Sequence, residues 1–380
     1  MIPFNKPYYS GKEKSYIVKA MNTKILTGDI AMLRYCENFL EKKYNFKKVF
    51  LTNSCTMALE MAAVLADIQP GDEVIMPSYT YVSTANAFAL RGAKIVFADS
   101  KSDQPNMDEN AIAQLITSRT KAIVVVHYAG ISCDFSIIKA VAHKHNIMII
   151  EDAAQCIDSF YKNEPLGSIG DIACFSFHET KNIHCGEGGF IVINDQKMRQ
   201  RAERIRNKGT NRSEFMKGEV NKYEWVDLGF SSMPSAITAA FLFAQMENIE
   251  QVQKRRIKLW KKYYTSLKPL QKSNHIALPV IPEYASNNAH LFYFVCGSQD
   301  ERNDLIQFFT LNDILAVFHY QALHSSPFFQ NKHDGRELAN ADKYAQRLVR
   351  LPLFYDLTSK EQDLIISKMF EFYSDKNVRN

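Results

Sequence analysis

Residues 147–155 read Ile147-Met148-Ile149-Ile150-Glu151-Asp152-Ala153-Ala154-Gln155. Four consecutive apolar residues leave no polar face, so the run predicts a strand covered on both sides, as in a largely parallel sheet with helices above and below. The acids follow where that strand runs out. In open α/β sheets ligands gather beyond the carboxyl ends of the strands, which makes Asp152 a candidate for chemistry.

Working outward, short apolar runs of the same kind occupy 73–76, 94–97, 122–126, 173–177 and 190–193, separated by helix-length segments. That alternation predicts an α/β fold. The residues leaving the runs are unusually polar and aromatic: Pro77-Ser78-Tyr79-Thr80-Tyr81, Ala98-Asp99, His127-Tyr128-Ala129-Gly130 and His178-Glu179-Thr180-Lys181. From about Ser235 a long helical pattern runs through Ala239, Gln245 and Gln251 into the basic stretch 254–262, leading away from the first unit. A second, smaller α/β unit follows, with a strand-like 291–295, a helical 301–311, an apolar 315–318 and an amphipathic helix from Ser359 onward. The division predicted is 1–250 for the large domain and 251–380 for the small one.

The 380 residues carry 46 basic against 41 acidic side chains, and the net charge of +5 is scattered. This suits an anionic small substrate better than a nucleic acid. Seven cysteines in no metal-ligand spacing, and an N-terminus without an export signal, point to the cytoplasm and away from a metal site. No apolar run approaches the roughly 20 residues a bilayer requires.

Three pieces of sequence carry chemistry. If a helix begins after the 147–150 run, Asp152 and Gln155 share one side of its first turn. A carboxylate there can pair with a protonated pyridine nitrogen, and the amide can reach a phenolic oxygen; a helix N-cap followed by a solvated glutamine fits the same residues. Ser176 and Lys181 follow the 173–177 run. A lysine that forms an imine needs partial desolvation, and the neighbouring Gly186-Glu187-Gly188-Gly189 permits a close, sharply turning backbone, although most lysines are plain surface charges. Thr52-Asn53-Ser54-Cys55-Thr56 leads into a helical 57–63 and offers hydroxyls and free N–H groups to a phosphate, or else a simple Ser/Thr cap. Tyr81 could stack on a flat ring at the mouth or pack in the core. His178 could touch substrate or be a buried, hydrogen-bonded histidine.

Taken together, Asn53-Ser54-Cys55-Thr56, the 77–84 segment, Glu151-Asp152-Ala153-Ala154-Gln155 and Phe175-Ser176-Phe177-His178 with Lys181 and 186–189 resemble the nucleotide-sugar aminotransferases. These are a branch of the fold-type-I, aspartate-aminotransferase-like enzymes that use pyridoxal 5'-phosphate (PLP), and the resemblance covers nearly the whole chain. It implies a mostly parallel seven-stranded sheet in the large domain and a smaller C-terminal α/β domain. It also implies Lys181 as the imine lysine and proton shuttle and Asp152 as the ring-nitrogen partner. Cofactor contacts would come further from Cys55, Thr56, Tyr81, Gln155 and Ser176. His178, Arg212, His319, Tyr320 and His324 would contact the sugar nucleotide.

Within the family, the segments 70–99, 127–130, 208–212 and 317–320 are similar to enzymes that move the amino group of L-glutamate to C4 of dTDP-4-keto-6-deoxy-D-glucose. The galacto amino sugar they make serves bacterial surface polysaccharides such as enterobacterial common antigen or an O-antigen. Amination at C3 or a gluco product is the near alternative, and a non-catalytic regulatory protein of the same fold is the distant one. Related PLP sugar dehydratases carry histidine where this chain has Lys181. The resemblance also implies a homodimer with shared sites. Many relatives place an asparagine within the stretch matching 229–235 to reach the neighbouring subunit's cofactor; here the candidates are Ser231 and Ser232.

Overall fold

Every apolar run picked out above becomes a strand. In chain order the strands are β1 (Val49–Thr52), β2 (Glu73–Pro77), β3 (Lys94–Ala98), β4 (Thr120–Val126), β5 (Met148–Asp152), β6 (Phe160–Tyr161), β7 (Glu164–Pro165), β8 (Ile172–Ser176), β9 (Gly189–Ile193), β10 (Ile276–Ala277), β11 (Phe292–Cys296), β12 (Val317–Phe318) and β13 (Leu348–Leu351). The computed structural model describes residues 1–27 and 31–379, with side chains through residue 374.

Seven strands form one sheet in the order β1-β9-β8-β5-β4-β2-β3. Strands β3, β2, β4, β5 and β8 run parallel. Strand β9 is antiparallel to both β8 and β1, so β1 points the same way as the parallel set and β9 alone opposes it. Both faces are apolar, as the unbroken runs require: Ala122 and Val124 of β4 pack in one core layer with Phe88, and Ile123 and Val125 in the other with Phe135. Full burial of a Val or Ile side chain is worth about 1.5–3 kcal/mol, so neither face can be left to water.

Crossover helices lie between the strands with their ends closed locally. Asp134 accepts from Ser136 N at 2.9 Å to start Phe135–His145, and Asn146 ends that helix in the left-handed region at φ 53°. The pattern from Ser235 to Lys262 is not one helix, as the sequence suggested, but two: Ala236–Met246 and Ile249–Lys272. Asn248 donates back to Ala244 O at 2.9 Å, so its amide competes for the carbonyl that would continue the helix.

The second helix leads to a four-stranded sheet, β10-β11-β13-β12, with its own core around Phe292, Phe294 and Tyr263. Ile2 joins that core, donating to Asp313 O at 2.6 Å and accepting from Leu315 N at 3.0 Å. Among the described residues no helix is long and apolar enough to cross a membrane.

Candidate active site

The carboxyl ends of β1, β2, β4, β5 and β8 share one edge of the large sheet. Above them opens a cavity of about 770 Å³, closed on the far side by residues of the four-stranded sheet. Register sets what meets there: Asp152 lies opposite Val126 on β4 and Cys174 on β8, and Gly189 lies opposite both Ser176 and Thr52. Gly189 cannot be larger. A Cβ built on it would fall 2.5 Å from Cys55 N and 2.6 Å from Phe175 O.

The turn after β1 starts the helix Cys55–Leu65, whose cap Ser54 accepts from Met57 N at 3.1 Å. Among the described residues the N–H groups of Cys55 and Thr56 find no acceptor, as expected of a first turn aimed at an anion. The Thr56 hydroxyl lies 2.8 Å from that of Ser83. Burial pushes the Cys55 thiol well above its ordinary value, leaving a neutral thiol.

Asp152 is buried, and burial raises its carboxyl. Opposing that, Thr84 Oγ1 donates to Oδ2 at 2.7 Å and Ala154 N to Oδ1 at 3.2 Å. The expected helix after Asp152 is absent: residues 153–158 form successive turns, and Ala154 N bonding back to Asp152 is a side-chain turn in its place. Gln155 still lines the pocket. Ala129 N donates to its Oε1 at 2.6 Å, which turns its Nε2 to the Tyr320 hydroxyl at 3.0 Å.

Glu151, one residue earlier, serves a different task. It is buried, accepts from Gly167 N (2.7 Å), Ile169 N (3.0 Å) and Gly170 N (2.6 Å), and lies 3.3 Å from His127 Nε2. Cys133 N donates to His127 Nδ1 at 3.2 Å, so the ring proton sits on Nε2 and points at Glu151.

Lys181 lines the same pocket. Burial draws its amine below the ordinary lysine value, against the opposing pull of the Asp152 carboxylate. Ser176 accepts from His178 N at 3.2 Å, and His178 Nδ1 lies 3.0 Å from the Thr180 hydroxyl. Tyr81 stands 57% exposed at the mouth, its ring 6.1 Å from that of Tyr320.

From the four-stranded side come His319 and Tyr320. His319 Nδ1 lies 2.8 Å from the Tyr128 hydroxyl, and burial holds its imidazole well below the ordinary value. Two expected substrate residues lie elsewhere. His324 is packed behind the pocket wall, 2.8 Å from Ser78 Oγ and 3.5 Å from Asp342, because the short helix Leu323–Ser325 turns it away. Arg212 opens the helix Arg212–Met216 and is exposed, outside the pocket. Ser232 is also spent, its hydroxyl on Arg206 O at 3.3 Å, while the Ser231 carbonyl accepts from Asn53 at 3.1 Å.

Sequence reasoning assigned no role to Thr84, Ser83 or Arg350, all of which reach this site or its wall. Thr80 and Thr84, four apart with hydroxyls at 2.9 Å, were a readable signal at the start of the helix Val82–Ala89.

The family model of the DegT/DnrJ/EryC1/StrS aminotransferases matches residues 9–370. This chain belongs to that family. As a member it is a PLP-dependent sugar aminotransferase, and its fold is that of the fold-type-I PLP enzymes. GDP-perosamine synthase of Escherichia coli O157:H7 is 29% identical over 381 residues, covering 99% of each protein. A Streptococcus pneumoniae protein assigned as a sugar aminotransferase, solved in its PLP form, superposes at a TM-score of 0.90 with 26% identity, covering 98% of this chain and 99% of that one. DesV of S. venezuelae superposes at 0.88 with 26% identity, covering 98% of both.

The aminotransferase pocket fits its cofactor on its own evidence. Among the described residues two amides at a helix start lack an acceptor, a buried carboxylate lines the cavity, and the half-buried Lys181 shares the cavity with it.

Proposed function

We propose that the enzyme transfers the amino group of L-glutamate to C4 of dTDP-4-keto-6-deoxy-D-glucose, giving dTDP-4-amino-4,6-dideoxy-D-galactose and 2-oxoglutarate for a surface polysaccharide. The observation that carries the catalytic part is the placement of Lys181, which lines the same cavity as the buried Asp152. The choice of sugar rests on the 127–130 and 317–320 segments, whose likeness to the dTDP-specific branch falls on pocket residues: His127, Val317, Phe318, His319 and Tyr320.

In this reading Cys55, Thr56 and Ser176 hold the cofactor phosphate and Tyr81 covers its ring. Asp152 carries the counter-charge for the ring nitrogen, and Gln155 reaches the ring's phenolic oxygen. When bound, PLP supplies an electron sink that stabilises charge left on a substrate carbon by proton removal. The protein's part is the proton. Lys181, held neutral more easily because it is buried, takes a proton from the donor's α-carbon and later returns one to the sugar carbon. Because the amine approaches from a single wall of the pocket, it delivers that proton to one face and fixes the configuration. Such acid/base work is worth roughly 10²–10⁴-fold.

A homodimer accounts for the apolar surface between 215 and 228, where Trp225 is 77% and Met216 72% exposed. Arg212 stands in the same region, and a second copy would give it a pocket to face. The 29% identity to a GDP-perosamine synthase favours a second reading, a GDP-linked keto sugar as acceptor. Incubation with glutamate and each of the two nucleotide sugars, with NMR of the product, tests both readings. An amino group at C4 in the galacto configuration on the dTDP sugar is expected; turnover of the GDP sugar alone refutes the dTDP assignment.

A further inference from the structure

His290 lines the pocket but takes no part in the chemistry described above. It is buried, in the segment just before β11, and its backbone is held at both ends: its N–H donates to Asn288 Oδ1 at 3.0 Å, and its carbonyl accepts from Arg256 Nη2 at 2.6 Å. Ala289 before it sits at φ 51°, a conformation uncommon for alanine, and donates its N–H to Asn287 Oδ1 at 2.8 Å. The imidazole is oriented in turn by a chain of amides. Asn182 Nδ2 donates to the Asn288 carbonyl at 3.0 Å and to Gln253 Oε1 at 2.7 Å, which leaves Oδ1 as its acceptor. His290 Nδ1, 3.0 Å from that oxygen, therefore carries the ring proton. Nε2 is left as a bare lone pair that meets no donor among the described residues.

A buried acceptor without a donor is costly, and the cost is offset where a ligand brings the hydrogen. Burial, reinforced by nearby positive charge, holds the imidazole well below its ordinary value, so Nε2 stays a neutral acceptor. The ligands of a sugar aminotransferase bring a carboxylate, an amine and sugar hydroxyls. A carboxylate has no hydrogen for Nε2. An ammonium has one, but Arg256 and Arg350 line the same cavity and disfavour a further positive charge there. A neutral hydroxyl meets neither objection. We propose that His290 Nε2 accepts the hydrogen bond of a sugar hydroxyl, the one on the carbon next to the carbon that is aminated. This deepens the sugar aminotransferase reading and rests on it.

Which hydroxyl it reads follows from the neighbourhood. Asn182, which grips the imidazole, comes directly after Lys181, so the free lone pair and the proton-carrying amine enter the cavity from adjoining positions. Asn288 extends the same network to Gln155, donating from Nδ2 to its carbonyl at 2.7 Å. His290 is thus fixed relative to both Lys181 and Gln155. In a 4-keto-6-deoxy sugar, C5 on one side of the ketone bears a hydrogen, the ring oxygen and the methyl group, none of them a donor. On the other side C3 bears a hydroxyl. An acceptor beside Lys181 therefore reads the C3 hydroxyl, and a sugar without it leaves the lone pair unmet.

The test uses the PLP-loaded enzyme and two probes with no ketone to react, dTDP-glucose and dTDP-3-deoxyglucose, each titrated by calorimetry. The wild-type enzyme should bind the first roughly 5- to 100-fold more tightly than the second. In His290→Asn, whose amide still donates to Asn182 but which lacks the second ring nitrogen, the two should agree within about threefold. His290→Gln, which returns an acceptor oxygen close to the Nε2 position, should restore part of the difference. Equal binding of the two sugars by the wild type would overturn the proposal, and so would an undiminished difference in His290→Asn. Loss of the imine absorbance in His290→Asn, with neither sugar bound, would make the residue a support for Lys181 and overturn the proposal equally. A wrong choice of nucleotide would show instead as no binding of either dTDP sugar by the wild type, and GDP-mannose with GDP-3-deoxymannose then puts His290 to the same test.

Discussion

The seven-stranded and four-stranded sheets reach one pocket by different routes. Side chains from the first arrive with their polar atoms engaged: Asp152 by Thr84 and Ala154, Gln155 by Ala129 and Tyr320. Those from the second are held by fewer bonds, His319 through Tyr128 and Arg350 through a single carbonyl. A frame so constrained keeps chemistry fixed whatever the substrate, whereas the sparser wall has donors left over for ligands that change between half-reactions. Substitutions on the first side should therefore depress kcat for every substrate, and those on the second should act on apparent affinity.

The largest effect expected is from Lys181→Ala, a loss of roughly 10²–10⁴-fold or more in turnover, read as the glutamate-dependent change in the visible spectrum. Retained turnover would remove the chemistry from the large sheet's edge. Asp152→Asn keeps the shape and removes the charge. It should lower kcat roughly 10- to 150-fold with KM little changed, from the loss of a charged hydrogen-bond partner worth about 1.5–3 kcal/mol. A KM effect alone would blur the contrast between the two sides.

Glu151→Gln should cost about 1–3 kcal/mol of stability, measured by urea unfolding, because an amide nitrogen would then face backbone donors. Tyr320→Phe, on the other wall, should cost only about 0.5–1.5 kcal/mol, seen as a higher KM for the sugar with a near-normal kcat.

The smallest effect concerns pH. Burial holds His319 well below its ordinary value of 6.5, so the folded protein keeps it neutral while the unfolded chain takes up a proton as pH falls through that value. Its contribution to stability is present above pH 6.5 and is lost on acidification below it. His290 is shifted in the same direction, so His319→Gln should flatten but not abolish the loss between about pH 7 and 5 in thermal melts.

The sequence revealed this fold where burial on both faces forced unbroken apolar runs. It was silent where strands were short or interrupted by charge. Strand β13 hides because Arg347 precedes it and Arg350 interrupts its apolar residues, and β1 because its four residues follow Lys47 and Lys48 directly. The pocket was legible along the large sheet's edge, since each contributor leaves a strand end. Arg350 was not, because its partner lies 32 residues away. His324, which the family resemblance placed at the substrate, lies outside the pocket because the short helix Leu323–Ser325 carries it behind the wall.

Strand β5 places two acids in succession, and neighbours on a strand face opposite ways. Its alignment with β4 and β8 thus works as a reading frame that decides which carboxylate looks into the cavity. An extra residue in the turn at Asn146, a full strand length from the chemistry, would shift that frame by one. Glutamate would then face the cofactor, and the 167–170 loop would lose its anchor, a double failure that no conservative replacement of Asp152 alone reproduces.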